Sequence, residues 1–425
     1  MTDGQSRDGH LRWRLILVFI CLASLGEGVD LQEPGVTMPL LAPLFKFSTG
    51  GGFWSSFISE RGLYLSLSTW GTMIGAVIGG RLSDRIGRKW VAVISVALFG
   101  VLSGLTAMAT STEQLLWCRF LTGLGLGGAA PSLIALASET APSGRRNTAI
   151  GCFYASMPAG GALVSLSSYL FLTPQRWPLI YVLGAIVPLL AVPGLLFGVP
   201  NIKPVAVAGV ARPPVLTALF GGGRALRSVT LWLAFFFGMI TTYILLGWLP
   251  SLLVGKGLTR SDAAIVQIGF SVMGAFGGVL TGMLIDRSSR GLTVGLVFLG
   301  AILCLMALAA APATLGISLV IGSLVGGTVA GAQAILYALS PGCYPMEVRG
   351  TGVGFAVAIG RIGSASGPLL ASALLGIGVS SVGVLGVLSP LMALSGGLAV
   401  AVAVLSRRAA RPGVAATAAA VAATT

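Results

Sequence analysis

The sequence predicts an all-α integral membrane protein with twelve transmembrane helices in two pseudo-symmetric six-helix halves. Three observations lead there. Of the 425 residues, 55% are hydrophobic and only 9% are charged, and the mean hydropathy is +0.94. Soluble domains carry roughly 25% charged residues. The apolar residues fall into runs of about 20, the length a bilayer crossing requires, and the chain is long enough for about twelve of them. Finally, loops in the first half recur in the second at almost one offset, as duplicated transporter halves do.

In chain order, an N-terminal tail (1–14) precedes a first span expected over 15–45, including an outer extension. Leu15 to Leu25 contains no charge and follows Arg12 and Arg14. It is read as a helix and not as a signal-peptide core, because the apolar pattern continues and no small-residue cleavage site follows. Further spans are expected at 60–80, 90–110, 114–137, 147–171 and 178–199. A linker with Pro, Val and Gly (200–227) separates these from spans at 228–254, 263–285, 292–311, 314–339, 350–375 and 382–406. The tail 407–425 is rich in Ala and Thr.

The net charge of +14 is an orientation signal, not a nucleic-acid footprint. Nineteen of the 26 basic residues fall on the side of the N-terminal tail, and five (Lys46, Arg61, Arg176, Lys256, Arg260) on the other. That asymmetry follows the positive-inside rule, so both termini are expected in the cytoplasm, with the chain in the cell's inner membrane. The two remaining arginines, Arg119 and Arg361, fall inside spans. The five cysteines lie in or beside spans without metal-ligand spacing, and His10 is the single histidine. No metal site, nucleotide loop or nucleophile–base set is found, so no enzyme activity is expected.

Inside the first span stand Glu27, Asp30 and Glu33. An acid in a bilayer costs on the order of 3 kcal/mol on insertion scales and marks function by default. For Glu33 two placements stay open, the span interior or a helix end in water. Asp30 is sixteen residues past Arg14, roughly 24 Å at 1.5 Å per residue. Arg119 is six residues past Glu113 on the opposite side, roughly 9 Å below that face. Both fall in the outer half of a core of about 30 Å. By the same count Glu27 and Arg361 share a level near the midplane. Matched acids and arginines suggest mutual neutralisation, and a proton site beside an anion site. Glu27 is the expected partner of Arg361 when no substrate is bound.

Tyr243, Gln333 and Tyr337 are scarce polar groups in apolar spans of the second half. Each alone more often makes an interhelical hydrogen bond, whereas a buried Arg361 needs an anion, either Glu27 or a substrate carboxylate.

The run Gly80-Arg81-Leu82-Ser83-Asp84-Arg85-Ile86-Gly87-Arg88-Lys89 aligns with Gly282 to Arg290 at a shift of 202, and Arg146 to Gly151 aligns with Arg349 to Gly354 at 203. The first run resembles the signature after the second helix of the major facilitator superfamily, Gly-x-Leu-Ala-Asp-Arg-x-Gly-Arg-Arg/Lys. Arg119-x-x-x-Gly123-x-Gly125 resembles that superfamily's fourth-helix motif, in which the arginine pairs with a first-helix acid and assists proton coupling. A closer resemblance, over nearly the whole chain, is to its aromatic acid:proton symporters, which carry Asp-Gly-x-Asp in the first helix. Here Glu27-Gly28-Val29-Asp30-Leu31-Gln32 looks like the branch for 3-(3-hydroxyphenyl)propionate. Departures are Glu33-Pro34 after Gln32 and a longer Gly50-Gly51-Gly52-Phe53-Trp54 loop.

The resemblance implies the fold named at the outset and alternating access. It implies proton coupling through Glu27, Asp30 and Arg119, and substrate binding through Arg361, Tyr243, Gln333 and Tyr337. It implies a cytoplasmic latch, or gate, at Gly80, Asp84, Arg85, Gly87 and Arg88, at Asp286 and Arg287, and at Glu139, Arg146, Glu347 and Arg349. The expected activity is import of a small aromatic carboxylate by proton symport, in a protein working as a monomer, with protons the coupling ion and no cofactor. Two other classes are weighed. Drug exporters carry Gly-Pro-x-x-Gly-Gly in the fifth helix, whereas Met157-Pro158-Ala159-Gly160-Gly161 has one spacer too few and no Gly before Pro158. A membrane sensor would need an attached soluble domain.

Overall fold

A computed structural model of the chain describes residues 3–48, 59–142, 146–199, 219–221, 224–287, 290–344 and 349–409. Among these residues it forms twelve long α-helices, a single 3-10 turn and no strand. The first half comprises α1 (Asp3–Leu44), α2 (Glu60–Ile86), α3 (Arg88–Thr106), α4 (Thr112–Thr140), α5 (Arg146–Phe171) and α6 (Pro178–Gly198). The second comprises α7 (Ala225–Lys256), α8 (Arg260–Arg287), α9 (Arg290–Ala310), α10 (Leu315–Leu339), α11 (Arg349–Gly376) and α12 (Ser381–Ala409). Each covers one expected span, and its limits lie within a turn or two of expectation. The exception is α1, which already starts at Asp3, inside the stretch expected as a tail.

Ten of the helices are apolar and long enough, on their described residues, to cross a membrane. The other two, α2 and α5, carry Ser66, Ser68, Thr69 and Thr72, and Ser156, Ser165, Ser167 and Ser168. Their position accounts for that polarity, because α2 packs on α11 and α5 packs on α8 across the boundary between the halves. A helix facing a polar interior need not be apolar all round. Local chemistry sets the breaks. Ser59 caps α2 by accepting from the Gly62 amide (3.4 Å), and Ser111 caps α4 by accepting from the Gln114 amide (3.3 Å). Between α2 and α3 sits Gly87 at φ 94°, a backbone conformation that glycine tolerates. The sharp turn in the Gly80–Lys89 loop therefore depends on that residue.

Because successive helices alternate in direction, α1 begins and α12 ends on one face, here the terminal face; the opposite one is the far face. The halves meet through α1–α7, α2–α11 and α5–α8. The hydrogen bonds joining them among the described residues lie towards the far face. Ser59 Oγ pairs with Ser372 Oγ (2.6 Å), and Gln32 Oε1 accepts from Gln267 Nε2 and Ser271 Oγ (3.0 Å each). Towards the terminal face the halves part. There Tyr154 and Tyr337, well inside the chain's helices, remain 51% and 39% exposed. The molecule thus encloses a cleft that is clasped at the far face and open at the terminal face.

Candidate functional site

Two polar clusters flank this cleft, and the first is buried inside the N-terminal half. Gly28 lets it form: a Cβ there would collide with the Met157 backbone, so α1 and α5 touch backbone to backbone, as small residues permit. Asp30 is then fully buried, as is Arg119. Arg119 donates from Nη1 to Asp30 Oδ1 (2.6 Å) and from Nη2 to Oδ2 (3.2 Å), a two-pronged pairing that only arginine's planar fork supplies. Nη2 also donates to the Asp30 backbone carbonyl (3.1 Å). That carbonyl is free because residue 34 is a proline, which offers no amide four positions on. The unusual Glu33-Pro34 pair thus gives Arg119 an extra acceptor. Ser68 of α2 donates to Asp30 Oδ2 (3.3 Å).

Glu33 is also fully buried, with Oε2 3.7 Å from Arg119 Nη1 and 3.5 Å from Ser103 Oγ. Of the two placements open from sequence, the structure takes the span interior, because α1 continues about three turns further to Leu44. One turn outward, Thr37 donates to the Glu33 carbonyl (2.6 Å) and meets the hydroxyls of Tyr64 (2.7 Å) and Tyr181 (3.1 Å). Tyr64 and Tyr181 also hydrogen-bond each other.

The second cluster faces the cleft. Arg361 donates from Nη1 to Tyr243 Oη (3.1 Å), and Tyr337 lies within its electrostatic reach. The Tyr337 ring, exposed on one side, packs edge-on at 5.2 Å against Phe235, which is fully buried behind it. Gln333 donates to Thr242 Oγ1 (2.9 Å), and its Oε1 is buried without a hydrogen-bond partner. Across the cleft, Glu27 is buried and its Oε2 has no hydrogen-bond partner. Glu27 and Arg361 feel each other's charge but form no ion pair among the described residues. This corrects the expectation of a closed Glu27–Arg361 pair. Equal depth fixes position along the membrane normal only, and α1 and α11 belong to halves that part towards the terminal face.

Tyr154 of α5 is a site residue that sequence reading missed. It lies within electrostatic reach of both Glu27 and Arg361. A tyrosine four residues before Pro158, in a span rich in Ser and Gly, was the available signal.

At the terminal face, Arg88 and the exposed Glu139 form an ion pair between α3 and α4. Gly80 and Arg85 are exposed near the end of α2. Glu347 and the 50–54 loop lie outside the described residues, as do the side chains of Asp84, Arg146, Asp286, Arg287 and Arg349. Asp84 and Asp286 nonetheless occupy matching places, near the last turns of α2 and α8.

Known proteins agree with this architecture. The D-xylose–proton symporter crystal structure superposes with a TM-score of 0.72 at 18% identity, over 92% of this chain and 96% of that one. A bacterial homologue of the human lysosomal transporter Spinster, in an inward-facing and occupied conformation, gives 0.71 at 17%, with the same coverage. By sequence, the 3-(3-hydroxyphenyl)propionate transporter of Escherichia coli (strain K12) is 37% identical over 396 residues, spanning 93% of this chain and 94% of its own. The 4-hydroxybenzoate transporter PcaK of Pseudomonas aeruginosa is 30% identical over 86% of this chain and 87% of its own. The gallate transporter of Pseudomonas putida is 29% identical over 86% of each. The family model for the Major Facilitator Superfamily matches residues 16–368. A twelve-helix, two-half membrane protein with its charged residues around a central cleft, this chain belongs to the Major Facilitator Superfamily and is a transporter, not an enzyme.

Proposed function

We propose that this protein imports a small aromatic carboxylate, of the 3-hydroxyphenylpropionate or hydroxybenzoate kind, by proton symport. It does so across the inner membrane, with both termini in the cytoplasm, so that the cleft described above opens inwards. The observation that carries this reading is Arg361: a guanidinium on the cleft, hydrogen-bonded to Tyr243 and without an acid in ion-pair contact among the described residues. A cation so placed calls for an anion from outside the protein. The substrate carboxylate takes the remaining N–H groups of Arg361, and Tyr337, backed by the buried Phe235, flanks the ring. The free Oε1 of Gln333 accepts from a ring hydroxyl. The transporters named above for phenylpropionate, hydroxybenzoate and gallate support this substrate class.

The coupling proton is assigned to the Asp30–Arg119 cluster, with Glu27 as the acid that answers substrate binding at Arg361. Protonating Asp30 loosens its hold on Arg119. Because a ligand shifts an equilibrium only by its differential affinity for the two states, proton and substrate together release the far-face clasp in a way neither achieves alone. Uptake competition with phenylpropionates, benzoates and their uncharged amides tests the anion site. Carboxylates are expected to compete and amides to fail, and Arg361→Lys is expected to lose most binding, since lysine keeps the charge but not the fork. Equal competition by amides, or normal binding by Arg361→Lys, moves the anion site elsewhere.

A further inference from the structure

The charge inventory around Arg119 does not balance unless one more proton is present. Two fully buried carboxyls, Asp30 and Glu33, face one guanidinium. Both prongs of that guanidinium are already committed to Asp30. Glu33 is left with a 3.7 Å approach to Nη1 and with an Oε1 that has no hydrogen-bond partner. The other groups around it are hydroxyls: Tyr64 of α2 and Tyr181 of α6 within electrostatic reach, and Ser103 of α3 at 3.5 Å. Ser103 Oγ has a single hydrogen for two acceptors, the Tyr181 carbonyl at 3.1 Å and Glu33 Oε2 at 3.5 Å, so among the described residues the only donor in hydrogen-bond reach of the Glu33 carboxyl is shared and long. An unpaired buried charge takes up a proton in preference to staying ionised.

Resting on the reading of this cluster as the proton-coupling site, we propose that Glu33 is a second proton-binding carboxyl, sharing one proton with Asp30 about Arg119. In the conformation described here the proton is on Glu33 and Asp30 holds Arg119. When the proton moves to Asp30, Glu33 becomes the carboxylate and Arg119 turns its fork one helical turn along α1. Both arrangements have two carboxyls, one proton and one guanidinium, so the cluster stays neutral throughout. The exchange of partner moves Arg119 along the stretch of α1 whose other side carries Gln32, the residue that fastens α1 to α8. Glu33 thereby links the protonation state to the far-face clasp.

The test uses the full-length protein in liposomes with radiolabelled 3-(3-hydroxyphenyl)propionate, comparing wild type, Glu33→Gln and Glu33→Asp. Infrared difference spectra recorded across a pH series, with Glu27→Gln added to every spectroscopic sample so that this other unpartnered buried acid is silent, report the carbonyl stretch of a buried protonated carboxyl, independently of transport. The wild type should show that band and lose it as pH rises. Glu33→Gln should lack it, keep gradient-free substrate exchange within a few-fold, and accumulate substrate at least ten-fold less under an imposed pH gradient. Glu33→Asp should show a displaced band and regain accumulation. A band that persists in Glu33→Gln, or that stays unmoved in Glu33→Asp, overturns the assignment; so does wild-type accumulation by Glu33→Gln. A Glu33 band that does not titrate marks a structural neutral acid and also overturns it. If Glu33→Gln does not insert, the shift in Glu33→Asp decides alone. Should wild type ignore the probe while its band still titrates and is lost in Glu33→Gln, the substrate reading fails and the Glu33 assignment stands.

Discussion

The two arginines inside the membrane have opposite surroundings. Arg119 is sealed within one half, its fork closed on Asp30 and on a carbonyl that Pro34 sets free. Arg361 stands at the boundary between halves, part-buried, held by a neutral tyrosine hydroxyl and without an acid in ion-pair contact among the described residues. Both are expensive to place in a bilayer, yet one is compensated from within the protein and the other awaits compensation from outside. A pair that is closed and dry is suited to respond to a proton, which is small enough to reach it. An open cation beside aromatic side chains is suited to bind an organic anion. The division is also one of sequence halves: the N-terminal six helices hold the buried acids Glu27, Asp30 and Glu33, and the C-terminal six hold Arg361 with Tyr243, Gln333 and Tyr337.

The hardest test of this contrast is to remove each guanidinium in turn. Arg119→Met strands a buried carboxylate, a loss of about 3–5 kcal/mol for breaking a buried pair. It should sharply lower both membrane yield and the melting temperature of the detergent-solubilised protein. Arg361→Met strands no ion-paired acid, so its melting point should stay near wild type while substrate binding disappears. Equal destabilisation by both substitutions would erase the distinction between a closed and an open arginine. Next in size is Asp30→Asn. Glu33, whose Oε2 lies 3.7 Å from Arg119 Nη1, can ionise and take over Arg119, so the protein should remain in the membrane. Proton-driven accumulation should be abolished, while binding measured at fixed pH should change little. Normal accumulation by Asp30→Asn would take the coupling role away from this cluster.

What the sequence made legible, and what it left hidden, separate along physical lines. Helix positions were readable because a bilayer demands about 20 apolar residues per crossing, and only the polar flanks blurred the ends. The Asp30–Arg119 encounter was readable because depth counting is reliable along a straight helix and these two helices belong to one half. The same arithmetic placed Glu27 opposite Arg361 but could not register the gap between halves, so an expected pair is a facing of charges across a cleft. Nothing in residue counts joins Gln32 to Gln267 and Ser271 across more than 200 positions; such contacts depend on lateral packing and on which state the two halves occupy. Glu33 was ambiguous for a simpler reason: three prolines (Pro34, Pro39, Pro43) argue for an early helix end, yet α1 runs through all of them. The latch, though prominent as a motif, contributes a half-exposed Arg88–Glu139 pair. Such pairs contribute about 0–1 kcal/mol. Arg88→Ala should therefore move cysteine accessibility between the two faces by no more than a few-fold and leave affinity within each state unchanged.

The finest test concerns Tyr154, which crosses the proposed division. It belongs to the N-terminal half but lies within electrostatic reach of Arg361 as well as Glu27, and its ring is half exposed to the cleft. If it orients the carboxylate that Arg361 binds, its hydroxyl acts as one neutral hydrogen bond among several. Losing such a bond costs about 0.5–1.5 kcal/mol, or roughly two- to ten-fold in dissociation constant. Tyr154→Phe keeps the ring and removes the oxygen, so packing and melting temperature should not change. Affinity for the carboxylate should fall within that range in equilibrium binding, and uptake should remain proton-driven. A loss beyond about a hundred-fold would mean that the N-terminal half supplies a principal substrate ligand, and the assignment of substrate contacts to the second half would have to be redrawn. No loss at all would confine the substrate to the C-terminal wall. In that case the N-terminal half senses the substrate through Glu27 and the approach of Arg361 alone.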